Sequence, residues 1–347
     1  MRALIQGVVL GCIATSSYAA VSLGDHLSVS GFGSFSVAKS DNSTPLLVNR
    51  EITDETCWDC DTTVGLQVDL RLTDQLRASA QLVKRPHDHF SSPELEWAYI
   101  DYEGDEWGIN AGRLRLPLFL TSEYYYVGHA YTWARPPTEV YGSTIGFTSY
   151  EGASAHIDIE LPNEGILKIG PYVGIPREDD ISLGRIDIHF DIDRLLGFTA
   201  ELSHFNYTLR TAMLHSKYST SFNPEPAIIN VYTLGGQYFW QDWEWMAEVQ
   251  SDTLQTNWYV SGAYQWGDIK PYLVYGESHH RSKSKSVTLG VRYDLRYNIS
   301  INAEWQQFMM RDSDYMAGNS GQFVEPPILH REDKDAQLLT LMVNFVF

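Results

Sequence analysis

Period two dominates this chain. From Thr63 to Leu72 the apolar residues Val64, Leu66, Val68, Leu70 and Leu72 alternate with Thr63, Gly65, Gln67, Asp69 and Arg71. A strand puts two such sets on opposite faces, whereas a helix turns every 3.6 residues and scatters both around its circumference. The pattern returns in 181–192, where Ile186, Ile188, Phe190 and Ile192 oppose Arg185, Asp187, His189 and Asp191. It returns again in 286–296, where Val287, Leu289, Val291, Tyr293 and Leu295 oppose Thr288, Gly290, Arg292, Asp294 and Arg296. Each segment has one apolar face and one wet face.

Seven short turn signals separate these segments, at 73–75, 103–105, 162–165, 193–194, 241–242, 267–268 and 297–298. Eight longer polar stretches lie between them: 39–61, 85–93, 115–142, 176–180, 219–230, 252–256, 279–285 and 311–335. Fifteen connections imply sixteen strands. An even number of antiparallel strands, with short turns on one rim and long loops on the other, is the arrangement of an all-β transmembrane barrel. Residues 197–219 read as one long strand whose apolar phase slips near His204; three strands there would make eighteen. Trp107, Tyr238, Trp240, Trp243, Trp245, Trp258, Trp266, Tyr293 and Trp305 fall at or near predicted strand ends. Girdles of amphipathic rings sit there in a membrane barrel, whereas a soluble sandwich core holds its rings in mid-strand.

Composition agrees once the strands are in view. The 347 residues are 44% hydrophobic and 13% aromatic, and 44 Asp and Glu against 25 Lys and Arg give a formal charge of -19. That balance excludes nucleic acid, whose phosphates require a basic surface. A mean hydropathy of -0.25 excludes a bundle of membrane helices. It does not exclude strands, half of whose residues face water.

The N-terminus reads as a secretory signal. Met1-Arg2 is the charged start, Ala3 to Ile13 the apolar stretch, and Ser17-Tyr18-Ala19 the small-residue cleavage site, which leaves 20–347 as a single mature barrel domain. The rival is a lipoprotein box at Val9-Leu10-Gly11-Cys12, for which the preceding apolar stretch is short. With Cys12 removed, the mature chain keeps Cys57 and Cys60. An even number in an exported chain favours a disulfide. A redox C-x-x-C needs a stabilised thiolate, which Asp54, Glu55, Asp59 and Asp61 would oppose.

The C-terminal segment is the most specific. In Gln337 to Phe347, Leu339, Leu341, Val343, Phe345 and Phe347 alternate with Leu338, Thr340, Met342, Asn344 and Val346, and the chain stops on an aromatic residue inside a strand. Here the sequence resembles the Gram-negative outer-membrane porins, whose last strand ends in Phe and is read by the barrel assembly machinery. The opening strand, His26 to Ala38, is similar to porin first strands in carrying small residues on one face. The resemblance implies a homotrimer in outer-membrane lipid and lipopolysaccharide, with small outward residues such as Ala78 and Ala80 at the subunit contact.

The stretch 112–141 follows the fifth predicted strand and looks like the third loop of sixteen-stranded porins, which folds into the lumen and narrows it. We take 115–142 as the candidate constriction loop. Arg113, Arg115 and Arg135 with Glu123, Tyr124 and Glu139 would then form an eyelet, where low-dielectric walls strengthen the field of opposed charges. The alternative is an extracellular lid packed by its tyrosines. The segment lacks the acidic P-E-F-G-G type tip of general porins.

Strand parity assigns the remaining charges. Facing inward by pattern are Asp69, Glu94, Glu96, Asp158, Glu160, Asp187, Asp191, Glu201, Glu244, Glu248, Asp294 and Glu304, against Arg71, Arg77, Lys168, Arg185, Lys270 and Arg292. That surplus of carboxylates predicts a mild cation preference, unless the charges pair into wall networks that select nothing.

Other motifs are weak. Asp312-Ser313-Asp314 with Gly318 lacks the remaining ligands of a calcium loop. His87-Asp88-His89 and His279-His280 lie in predicted loops without complementary metal ligands. Gly31-Phe32-Gly33 opens no helix, and no Gly-x-Ser-x-Gly elbow occurs. We therefore expect a passive channel for small hydrophilic solutes, with no cofactor, no metal and no catalytic residue. A lipid-modifying barrel enzyme and a loop-based adhesin or receptor are the other readings.

Overall fold

The computed structural model describes residues 20–86, 92–144, 147–162, 164–183 and 186–347, without the side chains of 181–183 and 186–187. The proposed signal, 1–19, lies outside the described residues, as do His87 to His89. The chain opens with β1 (Val21–Leu23), β2 (Leu27–Ser40), β3 (Thr63–Arg71), β4 (Leu76–Lys84), β5 (Glu94–Glu103) and β6 (Trp107–Arg115). A long connection bearing the one-turn helix α1 (Thr138–Tyr141) leads to β7 (Ser149–Glu160), β8 (Ile166–Gly174), β9 (Arg177–Leu183) and β10 (Ile186–His204). Then follow β11 (Tyr207–Thr220), β12 (Ala227–Trp240), β13 (Trp243–Ser251), β14 (Thr256–Tyr264), β15 (Ile269–His279), β16 (Ser284–Arg296) and β17 (Ile299–Met309). Helix α2 (Asp312–Met316) precedes the last strand, β18 (Ala336–Val346).

All pairings are antiparallel, and the sheet closes because β18 pairs with β2, Val343 opposite Phe35 and Val346 opposite Phe32. Closure leaves the wall with no free edge, the condition for strands to cross lipid. At the seam Phe347 lies over Gly31, where a Cβ would come within 2.3 Å of its ring. Two strands stand outside the closed wall. β1 pairs only with the start of β2, and β9 pairs with the upper half of β10, while the lower half of β10 joins β8. Sixteen strands form the barrel.

The count agrees with the sequence reading, but the route to it differs around β9 and β10. The stretch 176–180, expected as a loop, mostly belongs to β9. Asp193-Arg194, expected as a turn, is a bulge, where the register with β11 shifts between Ile192 and Arg194. The turn lies twelve residues later, at Phe205-Asn206, between β10 and β11. A bulge inserts one residue into a strand and reverses the faces beyond it. So Leu196 and Phe198 face outward below the bulge, while Phe190 and Ile192 are buried above it. There Phe190 packs edge-on against Phe147, with ring centroids 4.9 Å apart.

Elsewhere the alternation holds along the wall. Val64, Leu66, Val68 and Leu70 are exposed on the outside, as are Leu273, Leu289, Leu339 and Leu341. Their neighbours face an interior that is not empty. The largest cluster of buried apolar side chains joins Leu116, Leu118, Phe119, Trp133, Val140 and Tyr141 of the long connection to the inner faces of β10–β15.

Candidate functional site: the barrel interior and its inner loop

The connection 116–148 leaves β6 and crosses the barrel. Irregular backbone inside a barrel needs partners for its N–H and C=O groups, and inward wall side chains supply them. Thr233 donates to the Leu118 carbonyl at 2.6 Å, and the Leu120 N–H donates to Glu248 at 2.8 Å. On the far side Arg292 donates to the carbonyls of His129 and Tyr131 at 2.9 and 2.5 Å, and Asn302 to that of Thr132 at 2.7 Å. The Ala134 N–H donates to Glu304 at 2.8 Å. Gly128 passes so close to the seam that a Cβ would meet Asn344 at 2.3 Å and Ser34 at 2.7 Å. The return through α1 is held by the Tyr141 hydroxyl, which donates to Glu248, as does Tyr259 at 2.8 Å.

A second fastening joins this loop to the first long loop. Arg135 makes a two-point pair with Asp61 at 2.7 and 2.6 Å and also donates to Thr340 at 2.8 Å. Asp61 accepts from Arg50 at 2.7 Å and from Ser36 at 2.9 Å. Burial works to raise the Asp61 carboxyl, but Arg135 and Arg50 outweigh it and hold it well below the usual carboxylate range. The neighbouring Cys57 and Cys60 are joined by a disulfide, which closes the turn leading into Asp61.

Glu139, on α1, is different. It is 3% exposed, and neither carboxylate oxygen has a hydrogen-bond partner among the described residues. Burial pushes its carboxyl above the ordinary range, and the nearby Ser286 hydroxyl opposes this only in part.

The three arginines expected to share an eyelet are separated. Arg113 is partly buried, pairs with Glu151 at 3.5 Å, and borders a small cavity with Arg85, Glu94, Tyr125 and Tyr126. Arg115 is buried, pairs with Glu96, donates to the Ser122 carbonyl at 2.9 Å and stacks 5.2 Å from the Tyr126 ring. Arg135 is taken up by Asp61. Of the remaining loop candidates, Glu123 is exposed, and Tyr124 is half-buried with its hydroxyl pushed up to about 12 by burial and by Glu248 and Glu123.

The wall charges mostly meet partners. Asp69 accepts from Gln67 at 2.8 Å, and Arg77 pairs with Asp101 at 2.6 Å. Lys168 lies 3.7 Å from Asp158, Arg210 3.2 Å from Glu201, Lys270 3.2 Å from Glu244, and Arg292 2.7 Å from Asp294. Glu94 and Glu96 share Arg85, at 3.0 and 2.8 Å. Arg71 stands opposite Arg77 on the same face, and Glu160 is exposed. Asp191 corrects the parity assignment. It lies on the exposed side of β10 above the bulge, because Phe190 and Ile192 take the inward positions. Arg185 and the side chain of Asp187 lie outside the described residues. Arg50, Arg85, Asp101 and Arg210 were not singled out from the sequence, and Asp61 was read only as an acidic neighbour of the cysteines; four of the five contact a residue that is remote along the chain. Arg210 sits in the stretch whose phase slips.

Toward the long-loop end, a cavity of about 270 Å³ lies over the inner loop, lined by Arg50, Arg115, Phe119, Tyr125, Tyr126 and Glu139 among others.

A closed sixteen-stranded barrel with an irregular loop fastened inside it is the porin architecture. Solved structures similar to this chain bear that out. OmpF of Salmonella typhi, in complex with daunomycin, superposes with a TM-score of 0.65 at 12% identity, covering 94% of this chain and 100% of that one. The anion-selective porin from Comamonas acidovorans gives 0.61 at 12%, covering 92% and 99%. The outer-membrane channel DcaP of Acinetobacter baumannii gives 0.57 at 12%, covering 93% and 98%. No family model matches the sequence, and no curated protein matches it. The likeness is one of fold.

Proposed function

We propose that the chain is exported through a cleaved signal at 1–19, inserts in the outer membrane, and forms a channel for passive diffusion of small hydrophilic solutes and ions. No cofactor or chemical step takes part. The observation that carries this reading is the polar interior, with the loop 116–148 fastened across it. Open space in a barrel of this size passes almost any small solute, so a held loop sets the limit. Glu123 is the exposed charge of that loop, and Arg77 and Lys168 are partly exposed on the inner wall. Inward carboxylates still outnumber the bases, which supports a weak preference for cations. We also infer a homotrimer packed on the outward alanines of β4 and β5, and assembly through the Phe347 strand end.

Planar-bilayer recording tests the channel. Purified protein is expected to insert in discrete ohmic steps, with a reversal potential in a salt gradient displaced slightly to the cation side. Folded protein that gives no steps would remove the channel reading, and an anion-side potential would remove the charge preference alone.

A further inference from the structure

The residues 278–293 contain Arg281, Lys283, Lys285 and Arg292 and no Asp or Glu, in a chain of formal charge -19. Three of these cations, with His279 and His280, lie at the long-loop ends of β15 and β16, where Arg281 also borders the cavity over the inner loop and Lys283 and Lys285 do not. There the structure forms an open cleft of about 800 Å³ between the ends of β14–β17 and the loop before α2, lined by His279, His280, Lys283, Lys285, Met309 and Arg311 among others. An adjoining hollow of about 290 Å³ brings in Arg281.

The cleft opens on the outside of the barrel. Lys285 shares its strand face with Leu289, and His279 shares its face with Leu273, both about half exposed on the outer wall. Just below, Trp258 and Tyr275 lie with ring centroids 5.6 Å apart, facing outward on adjacent strands. Such rings mark the level where acyl chains give way to headgroups. The cleft therefore combines a lower edge of Met309 and the apolar wall with a rim of cations one step further out. The acids facing it are Glu277, which pairs with Lys285 at 2.8 Å and His279 at 3.2 Å, and Asp314, which pairs with Lys283 at 3.0 Å. Arg281 and Arg311 have no ion pair among the described residues. Four Lys and Arg against two carboxylates leave a local cation surplus.

We infer that this cleft binds the phosphate-bearing headgroup of an outer-leaflet glycolipid, the phosphate taken by Lys283, Lys285 and Arg311 and an acyl chain lying along Val287 and Leu289. The inference rests on the membrane reading above. Charge-assisted contacts from several cations to one phosphate explain why basic residues collect here on an otherwise acidic molecule.

The test compares the full-length protein with K283Q/K285Q/R311Q, both folded in detergent, for binding of diphosphorylated lipid A, its dephosphorylated form and inorganic phosphate. Bilayer conductance is recorded on the same preparations. Wild type is expected to bind the diphosphorylated lipid about a hundredfold more tightly than the variant does, at roughly fivefold for each of the three cations removed. Wild type is expected to bind the dephosphorylated lipid no better than the variant binds either lipid. Conductance should be equal in the two proteins. Equal lipid binding by both would overturn the proposal. So would full displacement of the lipid by millimolar inorganic phosphate, which would make this a free-phosphate site, and so would a variant that loses its oligomeric state but keeps its lipid, which would make the patch a subunit contact. If neither protein conducts but the lipid discrimination persists, the channel reading fails and the lipid site stands.

Discussion

Three buried glutamates show how residues of one type divide their work. Glu248 and Glu304 each accept from a loop N–H and from a wall tyrosine, so their burial is compensated. Glu139 has no such pair of donors: its carboxyl lies over Gly276 of β15, and the Ser286 hydroxyl of β16 is the polar group beside it. Because its carboxyl is raised, the folded chain keeps a proton there in a pH range where the unfolded chain has lost it. The stability from this residue is therefore full below the ordinary carboxylate range and is lost as pH rises through the raised value. Thermal unfolding of the folded barrel should show that decline with pH, and E139Q, which resembles the protonated form, should flatten it. A wild-type and E139Q pair with parallel pH profiles would count against an ionising Glu139. The sequence placed Glu139 in the loop, but that it lacks a partner depends on Ser286 and β13–β15, far along the chain.

At the scale of elements, the loop 116–148 packs Phe119 and Tyr125 on its own Tyr141, with ring centroids 5.0 and 5.8 Å apart, and is held from opposite sides of the wall. Its seat in the lumen depends on those wall contacts. E304A removes the acceptor of the Ala134 N–H and of the Tyr272 hydroxyl and leaves Arg135 with Asp61 and Thr340, a buried-donor cost of about 1–3 kcal/mol. The barrel should stay folded while the loop loosens, read as larger unit conductance, noisier open current and faster protease cutting within 116–148. Unchanged conductance would show that the loop does not set the limit. The strands themselves were legible because period two is a local signal, and so was a loop too long for a hairpin. The bulge at Asp193 was not. Asp193-Arg194 looks like a polar turn, yet its pairing with β11, including Lys217 donating to Asp193 at 2.8 Å, keeps the strand going. Turn and bulge use the same residue types.

For the whole molecule, the outward surface decides assembly. Ala78, Ala80 and Ala98 form a shallow strip on β4 and β5 beside the larger outward residues of β3, Leu66, Val68 and Leu70. In the proposed trimer a large cation there would be buried against a neighbour, at a cost of about 2–4 kcal/mol if it faced lipid instead. A80R should turn a trimer into a monomer on semi-native gels while the monomer keeps its heat-dependent mobility. A trimer that survives A80R would place the contact elsewhere. The sequence by itself determined the class of fold and which loop is exceptional, since alternation and turn spacing are properties of neighbours along the chain, whereas the choice between sixteen and eighteen wall strands waited on the pairing of β10. Only the tertiary structure decided which charges share a space. It paired Arg113 with Glu151, tied Arg135 to Asp61 and gathered the cations of 279–285 around one cleft at the strand ends. Closure brings together residues from strands up to three hundred positions apart, and one bulge is enough to reverse which side of the wall a charge is on.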